Sequence, residues 1–489
     1  MSQVGKVTKN VFVTMVTQLV GWGLTFLVTM YLPRYVGDVG LGAITLAGSL
    51  ASIYGLFIAL GASTALVKEI ARDHSRTGEL LIASLATRTV LGLAFLPIAM
   101  GAAHLLGYGV SLQRIIFAAL CVVFLGMINE ALGSCLRGLE EIPRQSASLI
   151  VEKCVSSVVT IALVIAKAPI WVIVASGLIS TVISIGINLT AFRPYWPAVK
   201  RVSWPAVTFL IVGGMPFFTR AIFTAVYGQS DALLLSKLSS VAAIGWYGLA
   251  KRLGGTTMMI PVALTTAMLP TLSRLYKSDM EGFKASSARL FNLIFILVVP
   301  FAILLIMAPA QILSILHYPP AFQASIPVLV IMGWAIILWF LSAAVGTVLI
   351  ACDRQAVFSK ITGVSALISV PLCGGCILLT EHTMHNGAIG AMFSDAVIEA
   401  YMVIAYIFAL PKGLFDWRRI AILARATVAA LPLVISFYFI HSKQDLLWLL
   451  PALLLYIPLC WALKCLTPED KRLLLTLAGR FRKPSVKGA

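Results

Sequence analysis

The chain has 489 residues, of which 60% are hydrophobic and only 11% are charged, and its mean hydropathy is +0.97. Soluble globular proteins carry about 25% charged residues and cannot expose this much apolar surface. The composition therefore excludes a soluble enzyme, a disordered protein and a nucleic-acid-binding domain, and it predicts an all-α polytopic membrane protein. The net charge of +18 fits that class, because Lys and Arg collect in the cytoplasmic loops of membrane proteins.

Apolar runs separated by short polar loops predict about 14 transmembrane helices. The first run follows a short basic lead and is too long for a cleaved signal peptide, so we expect it to remain as the first span. The seventh run exceeds the thickness of a bilayer, and the segment Gly213-Gly214-Met215-Pro216 is expected to break or bend it. In chain order the predicted spans are approximately 10–32, 41–67, 79–106, 112–136, 144–166, 169–192, 206–236, 242–267, 284–310, 323–351, 356–380, 387–410, 420–440 and 446–464.

The distribution of basic residues supports this topology. With the N-terminus in the cytoplasm, 28 of the 37 Lys and Arg fall in the tails and even-numbered loops, 5 fall in outer loops and 4 fall within spans. Such a bias follows the positive-inside rule at every loop, and one missed helix would scramble it downstream. We therefore expect a multi-pass protein of the cell membrane (the inner or plasma membrane) with both termini cytoplasmic.

The outer loops are too short to hold a catalytic domain. This argues against a membrane-embedded glycan ligase or polymerase, and the sequence contains no P-loop, nucleotide-binding fingerprint or nucleophile motif. We expect a protein that is not an enzyme, with no cofactor and no nucleic-acid partner. His382 and His385 beside Glu381 are too weak a pattern to predict a metal site.

A faint internal repeat connects two helix starts that lie six predicted helices apart. Val39-Gly40-Leu41-Gly42 opens the second span, and Val241-Ala242-Ala243-Ile244-Gly245 opens the eighth. Six is an even number of helices, so the two copies share one orientation in the membrane and are related by an axis along its normal.

Further landmarks give a resemblance to a known family. The first span ends in Pro33-Arg34-Tyr35-Val36-Gly37, the fourth ends in Leu136-Arg137-Gly138-Leu139-Glu140, the seventh carries Asp231, and the eighth contains Ile244-Gly245-Trp246-Tyr247-Gly248-Leu249-Ala250-Lys251-Arg252. Together they resemble the polysaccharide-biosynthesis (lipid-linked oligosaccharide) flippases of the multidrug/oligosaccharidyl-lipid/polysaccharide exporter superfamily. Pro-Arg-Tyr-Val-Gly favours the polysaccharide branch over the drug extruders.

The resemblance implies two six-helix lobes around a central cavity, two further C-terminal helices, and alternating access. It places the N-lobe at 1–200, the C-lobe at 201–415, and helices 13 and 14 with a basic cytoplasmic tail at 416–489. The implied cargo is a polyprenyl-pyrophosphate-linked oligosaccharide, flipped from the cytoplasmic to the outer leaflet for cell-surface polysaccharide biosynthesis. Lipid II flippases carry cations in their first helix, whereas this chain has none between Lys9 and Arg34, which argues against lipid II as cargo.

Four cations lie within the predicted spans: Arg88, Arg220, Lys251 and Arg252. Charged groups at mid-membrane cost about 2.5–3.5 kcal/mol each on insertion scales, so they usually face a wet cavity or a partner. We predict that they bind the pyrophosphate, which Arg recognises through its planar fork. Structural pairing with central carboxylates is the alternative.

Two polar stripes at helical spacing are expected to face the cavity. In the first span Gln18 offers hydrogen bonds to sugar hydroxyls and Trp22 offers a flat stacking surface, and in the seventh Tyr227 lies between charged residues. Interhelical hydrogen bonding is the alternative. The stripes are Thr14, Gln18, Trp22, Thr25 and Thr29, and Arg220, Thr224, Tyr227 and Asp231.

Four central acids are candidates for coupling transport to an ion: Glu130, Asp231, Asp395 and Glu399. Asp395 and Glu399 lie at i and i+4, and two close carboxylates raise each other's pKa, as ion-coupled sites require. They could take up H+ or Na+, or neutralise the central cations when no cargo is bound. The second functional hypothesis is an H+- or Na+-coupled multidrug antiporter of the same fold. A drug-cation exporter should be acidic at mid-depth, whereas here cations equal or outnumber acids.

Overall fold

The computed structural model describes residues 3–192, 202–411, 413–414, 420–438 and 449–465. All regular secondary structure in these residues is helical, which confirms the all-α prediction. The helices of the first half are α1 (Gln3–Ala59), α2 (Ala62–Arg72), α3 (Thr77–Leu105), α4 (Val110–Gly138), α5 (Ile142–Ile165), α6 (Ile170–Ala175), α7 (Gly177–Phe192), α8 (Trp204–Leu238) and α9 (Val241–Thr257).

The second half continues this pattern of long apolar helices. Short 3-10 helices cover His74–Arg76 and Pro320–Ser325. The helices are α10 (Met259–Ser278), α11 (Met280–Met307), α12 (Pro309–Ile315), α13 (Ile326–Ala351), α14 (Gln355–Met384), α15 (Gly387–Ala409), α16 (Ile420–Ala429), α17 (Leu431–Tyr438) and α18 (Leu449–Ala462).

Each of the predicted spans coincides with helical structure. Among the described residues, 11 helices are long and apolar enough to cross a membrane. The count is lower than 14 because α1 contains the first predicted span and most of the second, and because α16 to α18, which cover the last two, are shorter. The two spans in α1 are separated by a kink at Gly37, whose φ of 68° lies outside the helical region and is tolerated by glycine.

The predicted break in the seventh span does not occur, and the alternative that was predicted with it, a bend, stays a prediction. Helix α8 is continuous from Trp204 to Leu238 and contains Pro216. The glycines before the proline have another use, because a Cβ built on Gly214 would lie 2.4 Å from the carbonyl oxygen of Leu60. The small residue at this position therefore lets α8 approach the turn between α1 and α2.

By its contacts the chain divides into two compact units. Unit 1 consists of Met1–Met259, Leu316–Val328 and Ser359–Tyr401, and unit 2 consists of Ile260–Ile315, Leu329–Phe358 and Met402–Ala489. The lobe boundaries 1–200, 201–415 and 416–489 stay a prediction.

In unit 1, the second half of α1 packs against α9 through the two repeat segments. A Cβ on Gly42 would lie 1.8 Å from the Val241 carbonyl oxygen, and one on Gly245 would lie 2.0 Å from the Asp38 carbonyl oxygen. Only glycine allows this backbone-to-backbone contact. Beside it, the Trp246 indole donates a hydrogen bond to the Asp38 carboxylate at 3.1 Å.

In unit 2, α11 is buried along most of its length, with Phe291 and Phe295 in the core. The Tyr456 hydroxyl of α18 donates to the Ile296 carbonyl oxygen of α11 at 2.6 Å. The rings of Phe358 and Tyr406 stack with centroids 5.0 Å apart.

Candidate functional site

A cluster of charged and phenolic side chains lies within unit 1, and we call it the acid cluster. Three helices build it, and each supplies two residues one turn apart. The two residues of each pair lie on the same side of their helix, because positions i and i+4 share a helix face. The pairs are Tyr227 and Asp231 of α8, Tyr247 and Lys251 of α9, and Asp395 and Glu399 of α15.

Lys251 lies between two carboxylates of the acid cluster. Its Nζ is 3.0 Å from Oδ2 of Asp395 and 3.8 Å from Oδ2 of Asp231. The Asp395 and Asp231 side chains are 1% and 5% exposed, whereas that of Lys251 is 25% exposed. Buried charges of this kind are retained only when they are paired, so the ammonium and the two carboxylates hold one another in place.

The two tyrosines complete the hydrogen bonding of the carboxylates. The Tyr227 hydroxyl is 2.7 Å from Oε2 of Glu399 and 3.3 Å from Oδ1 of Asp395. The Tyr247 hydroxyl donates to Oδ2 of Asp231. A phenol has one proton to donate, so Tyr227 can serve only one of its two acceptors at a time.

The charges of Lys251 and its two carboxylate neighbours do not balance when both acids are ionised. Asp231 and Asp395 both contact one ammonium, so two ionised carboxylates would leave the trio with a net negative charge. Such a charge is costly in a membrane interior. Uptake of a proton or a metal cation by a carboxylate makes the net charge of this trio less negative. Loss of the ammonium to an anionic ligand makes it more negative.

Two of the predicted cations are available for a ligand. Arg220 is exposed and lies two turns from Tyr227 on the same face of α8, and Arg252 is half-buried next to Lys251. Neither forms an ion pair with a residue that the structure describes. Thr224, between Arg220 and Tyr227, is also exposed, so the α8 stripe becomes more exposed from the buried Asp231 towards Arg220.

The structure places Arg88 and Glu130 outside the acid cluster. Arg88 is 1% exposed, donates to the Met127 carbonyl oxygen, and contacts the Ser63 hydroxyl at 2.7 Å. Glu130 is 2.5 Å from Arg137 at the end of α4. A cargo contact at Arg88 would require these contacts to rearrange, and the roles predicted for both residues stay predictions.

The stripe on the first span has mixed surroundings. Gln18 is exposed and Trp22 is half-buried, so both are accessible. The Thr25 hydroxyl bonds to the Gly21 carbonyl oxygen of its own helix, and Thr29 is buried with its carbonyl accepting from Tyr318 at 2.9 Å. The side chain of Thr14 lies outside the described residues. The binding roles of Gln18 and Trp22 stay predictions.

Sequence reasoning missed one member of the acid cluster, Tyr247, and one neighbour of the cluster, Cys373. Tyr247 repeats the spacing of Tyr227 and Asp231, because it lies one turn before Lys251, and this shared pattern could have revealed it. The Cys373 thiol of α14 hydrogen-bonds to Asp231. Cys373 and Cys376 are both free thiols.

Within the described part of the chain, no group of three His, Cys, Asp or Glu is placed to hold a metal ion. Glu381, beside the two outer histidines, accepts from the Ser239 hydroxyl at 2.6 Å and from the Gly387 amide at 2.8 Å. Its carboxylate thus connects the end of α8 to the start of α15.

Comparison with solved structures identifies the class of fold. The lipid II flippase MurJ in an inward closed conformation superposes with a TM-score of 0.71 at 12% identity, over 94% of this chain and 98% of that one. An inward-facing multidrug resistance MATE family transporter of the MOP superfamily gives 0.63 at 13% identity, over 84% and 99%. A MOP superfamily transporter from Pyrococcus furiosus, described as having a binding pocket of reverse polarity, gives 0.55 at 15% identity, over 85% and 96%. The chain therefore has the multi-pass membrane fold of the MOP superfamily transporters.

Sequence comparison then gives the family. The model of the family "Polysaccharide biosynthesis protein" matches residues 7–276, more than half of the chain, and the MatE model matches residues 216–374. No curated protein matches the sequence. The chain belongs to the polysaccharide biosynthesis protein family, which confirms the resemblance seen in its motifs.

Proposed function

We propose that the protein is a flippase that moves a polyprenyl-pyrophosphate-linked oligosaccharide from the cytoplasmic to the outer leaflet of the cell membrane, for cell-surface polysaccharide biosynthesis. Family membership and the transporter fold support the general class. The observation that carries the specific proposal is that Lys251 is shared by two buried carboxylates while Arg220 and Arg252 form no ion pair with any described residue.

The free cations fit the charged part of this cargo. A pyrophosphate carries at least two negative charges and accepts paired hydrogen bonds from the planar guanidinium group. Arg220 and Arg252 would engage it first, and Lys251 would join them when it leaves Asp395. Gln18 and Trp22 of the first span and Tyr227 of α8 would contact the sugars, while the polyprenyl chain stays in the lipid.

The carboxylates would connect cargo binding to an ion. If Asp395 or Glu399 binds H+ or Na+, the attraction that holds Lys251 weakens, and the ammonium becomes available to the pyrophosphate. Conversely, when the cargo binds Lys251, a carboxylate loses its ammonium partner and binds a cation more favourably. The two binding events therefore promote each other, and by linkage each raises the affinity for the other by the same factor. Glu130, which pairs with Arg137, is a more distant candidate for this role.

The test is cargo flipping in proteoliposomes that contain a short lipid-linked oligosaccharide, read by the access of an external glycosidase. Loss of a charge-assisted contact costs about 1.5–3 kcal/mol, so R220A and R252A should each bind cargo roughly ten- to a hundredfold more weakly. R220K should recover only part of the affinity, because it keeps the charge and loses the planar fork. R114A, which removes an exposed cation remote from the acid cluster in sequence, is the matched control. Full flipping by R220A and R252A would contradict the proposal.

A cation-coupled multidrug antiporter is the second candidate. Three acids of the acid cluster are buried, and the MatE model matches a segment that includes Asp231 and Lys251. A lipophilic drug cation would then replace Lys251 at Asp231 and Asp395. Efflux of ethidium from cells that produce the protein, lost in D395N and retained in R220A, would favour this candidate over the flippase.

A further inference from the structure

The structure places a further cation, Lys153, in the middle of a membrane helix. It lies 11 residues after the start of α5 (Ile142–Ile165) and 12 residues before its end. At 1.5 Å per residue, either distance is about half the thickness of the hydrocarbon core, so Lys153 is near mid-membrane depth. A lysine close to a helix end can extend its ammonium to the interface, but one at the centre of a span cannot.

The neighbouring acid on α5 does not neutralise Lys153. Glu152 points towards α4, where the Asn129 side-chain amide donates to its Oε2 at 3.0 Å. One turn earlier on the same side of α5, the Ser148 hydroxyl is 2.7 Å from that of Ser184 in α7. Adjacent positions of a helix face different directions, so Lys153 lies outside this polar network. It forms no ion pair with any residue that the structure describes.

The side chain of Lys153 lies against the first span. A Cβ built on Gly21 of α1 would be 3.9 Å from Cγ of Lys153. Near the other end of the span, the Tyr35 hydroxyl donates to the carbonyl oxygen of Ala168, just past the end of α5, at 3.1 Å. Both contacts join residues with almost the same separation in the sequence, so the first span and α5 run side by side in the same direction.

Gly21 lies among the residues of the first span that are expected to bind sugar. Gln18, Gly21 and Thr25 follow at i, i+3 and i+7, and Trp22 lies beside them, so they share one side of α1. Gln18 and Lys153 are exposed, and Trp22 is half-buried. An unpaired ammonium that faced lipid tails at this depth would be costly, so the exposed side of Lys153 favours a water-filled cavity over lipid.

We propose that Lys153, Gln18 and Trp22 form a subsite for an acidic sugar of the cargo. The ammonium would pair with the sugar carboxylate, the Gln18 amide would bond to hydroxyl groups, and the Trp22 ring would stack on the sugar. Lysine carries a compact point charge and lacks the planar fork with which Arg220 and Arg252 suit the pyrophosphate. The favoured cargo is therefore an oligosaccharide that contains a carboxylate-bearing sugar. This inference rests on the proposed function, because it requires a glycan cargo.

The test is the binding of two radioactive cargoes to the purified protein in nanodiscs of neutral lipid. They share one polyprenyl pyrophosphate, and they carry either a neutral disaccharide or one that ends in glucuronic acid. The wild type should bind the acidic cargo more tightly. K153M removes a charge-assisted contact, so it should bind the acidic cargo roughly ten- to a hundredfold more weakly and the neutral cargo as the wild type does. K153R keeps the charge and should retain most of the preference.

K167M is the matched control, because Lys167 is also an exposed lysine and lies just beyond the end of α5. It should bind both cargoes as the wild type does. K153Q also removes the charge of Lys153, and it replaces K153M in the comparison if K153M does not insert into the membrane.

Three results would overturn the inference. Equal weakening of both cargoes in K153M would assign the ammonium to the pyrophosphate. Unchanged binding of the acidic cargo in K153M would show that Lys153 does not contact the sugar. A loss in K153R as large as that in K153M would show that the shape of the side chain decides, and not its charge.

Flipping of the same two cargoes in proteoliposomes tests the proposed function separately. If binding discriminates between the cargoes by charge and neither cargo is flipped, the flippase proposal fails and the acidic-sugar subsite stands. If the wild type flips cargo and K153M binds the acidic cargo as the wild type does, the subsite fails and the flippase proposal stands.

Discussion

Replacement of Lys251 by Met should destabilise the protein strongly, because it removes the ammonium that two buried carboxylates share. With an effective dielectric constant of about 20, two unit charges attract each other by about 5 kcal/mol at 3.0 Å and by about 4 kcal/mol at 3.8 Å, the distances to Asp395 and Asp231. Part of this attraction offsets the desolvation of the charges. Removing one partner of a buried pair typically costs about 3–5 kcal/mol, and we expect a loss in that range.

The second substitution separates charge from packing. K251M combined with D395N removes the carboxylate closest to the ammonium, so most of the lost stability should return. The matched control is K284M, because Lys284 pairs with Glu281 at 2.7 Å at the surface, with the two side chains 41% and 84% exposed. Exposed pairs contribute about 0–1 kcal/mol, so K284M should unfold almost as the wild type does.

The measurement is reversible unfolding in mixed micelles, followed by circular dichroism, with flipping measured on the same preparations. If K251M is as stable as K284M, or if D395N does not restore stability, the reasoning about the shared ammonium is wrong. The restored double variant also tests the role of Lys251 in transport. A folded protein that does not flip cargo would show that the ammonium acts on the cargo as well as on the carboxylates.

Three further predictions follow from the same geometry. D395N with E399Q should still bind cargo, but gradient-driven flipping should be lost; flipping that still responds to an imposed H+ or Na+ gradient in this variant would contradict the coupling role. Y227F removes the donor that lies 2.7 Å from Glu399, so it should slow gradient-driven flipping without removing any charge, and an unchanged rate would argue against a role for this hydrogen bond in coupling. The topology can be tested with single cysteines in a background without the native cysteines. Cysteines at the exposed Ser75 and Ser278 should react only from the cytoplasmic side, and those at Gly109 and His385 only from outside. Outside labelling at Ser75 would refute the predicted topology.

The helix positions could be predicted from the sequence because the bilayer imposes one simple rule. About 20 apolar residues are needed for each span, and backbone polar groups must be satisfied within the helix. The runs at 112–136 and 387–410 therefore agree with α4 and α15 to within about two residues. Helix α8 continues through Pro216 because a proline in a membrane helix can be accommodated by its neighbours. The glycines beside it were expected to break or bend the helix, and Gly214 allows the close approach of the Leu60 carbonyl.

The contact between the two repeat segments could not be predicted from their spacing in the sequence. The sequence places Gly42 and Gly245 at the starts of two helices with the same orientation, but it contains nothing that says the two segments touch. In the structure they pack backbone to backbone, with the Asp38 carboxylate and the Trp246 indole in contact beside them. Glycine is needed at both positions because the backbones of the two segments lie so close together. A contact between segments that are distant in sequence becomes visible only in the folded structure.

The sequence could predict which residues of the acid cluster share a helix face, but it could not predict which of these pairs contact one another. Asp395 and Glu399 share a face because of their spacing, and the same rule unites Tyr227 with Asp231 and Tyr247 with Lys251. Which pair faces which depends on the rotation of three helices, and the sequence does not encode that rotation locally. Lys251 was predicted to bind cargo, with ion pairing as the alternative; the structure shows the ion pairing, and the proposed mechanism would add cargo binding as a later step. A cation that is already held by two carboxylates can serve an anionic cargo only if those carboxylates gain another positive partner. For that reason, the proposed mechanism makes cargo binding at Lys251 depend on ion binding at Asp395 and Glu399, and a change in either group should alter both.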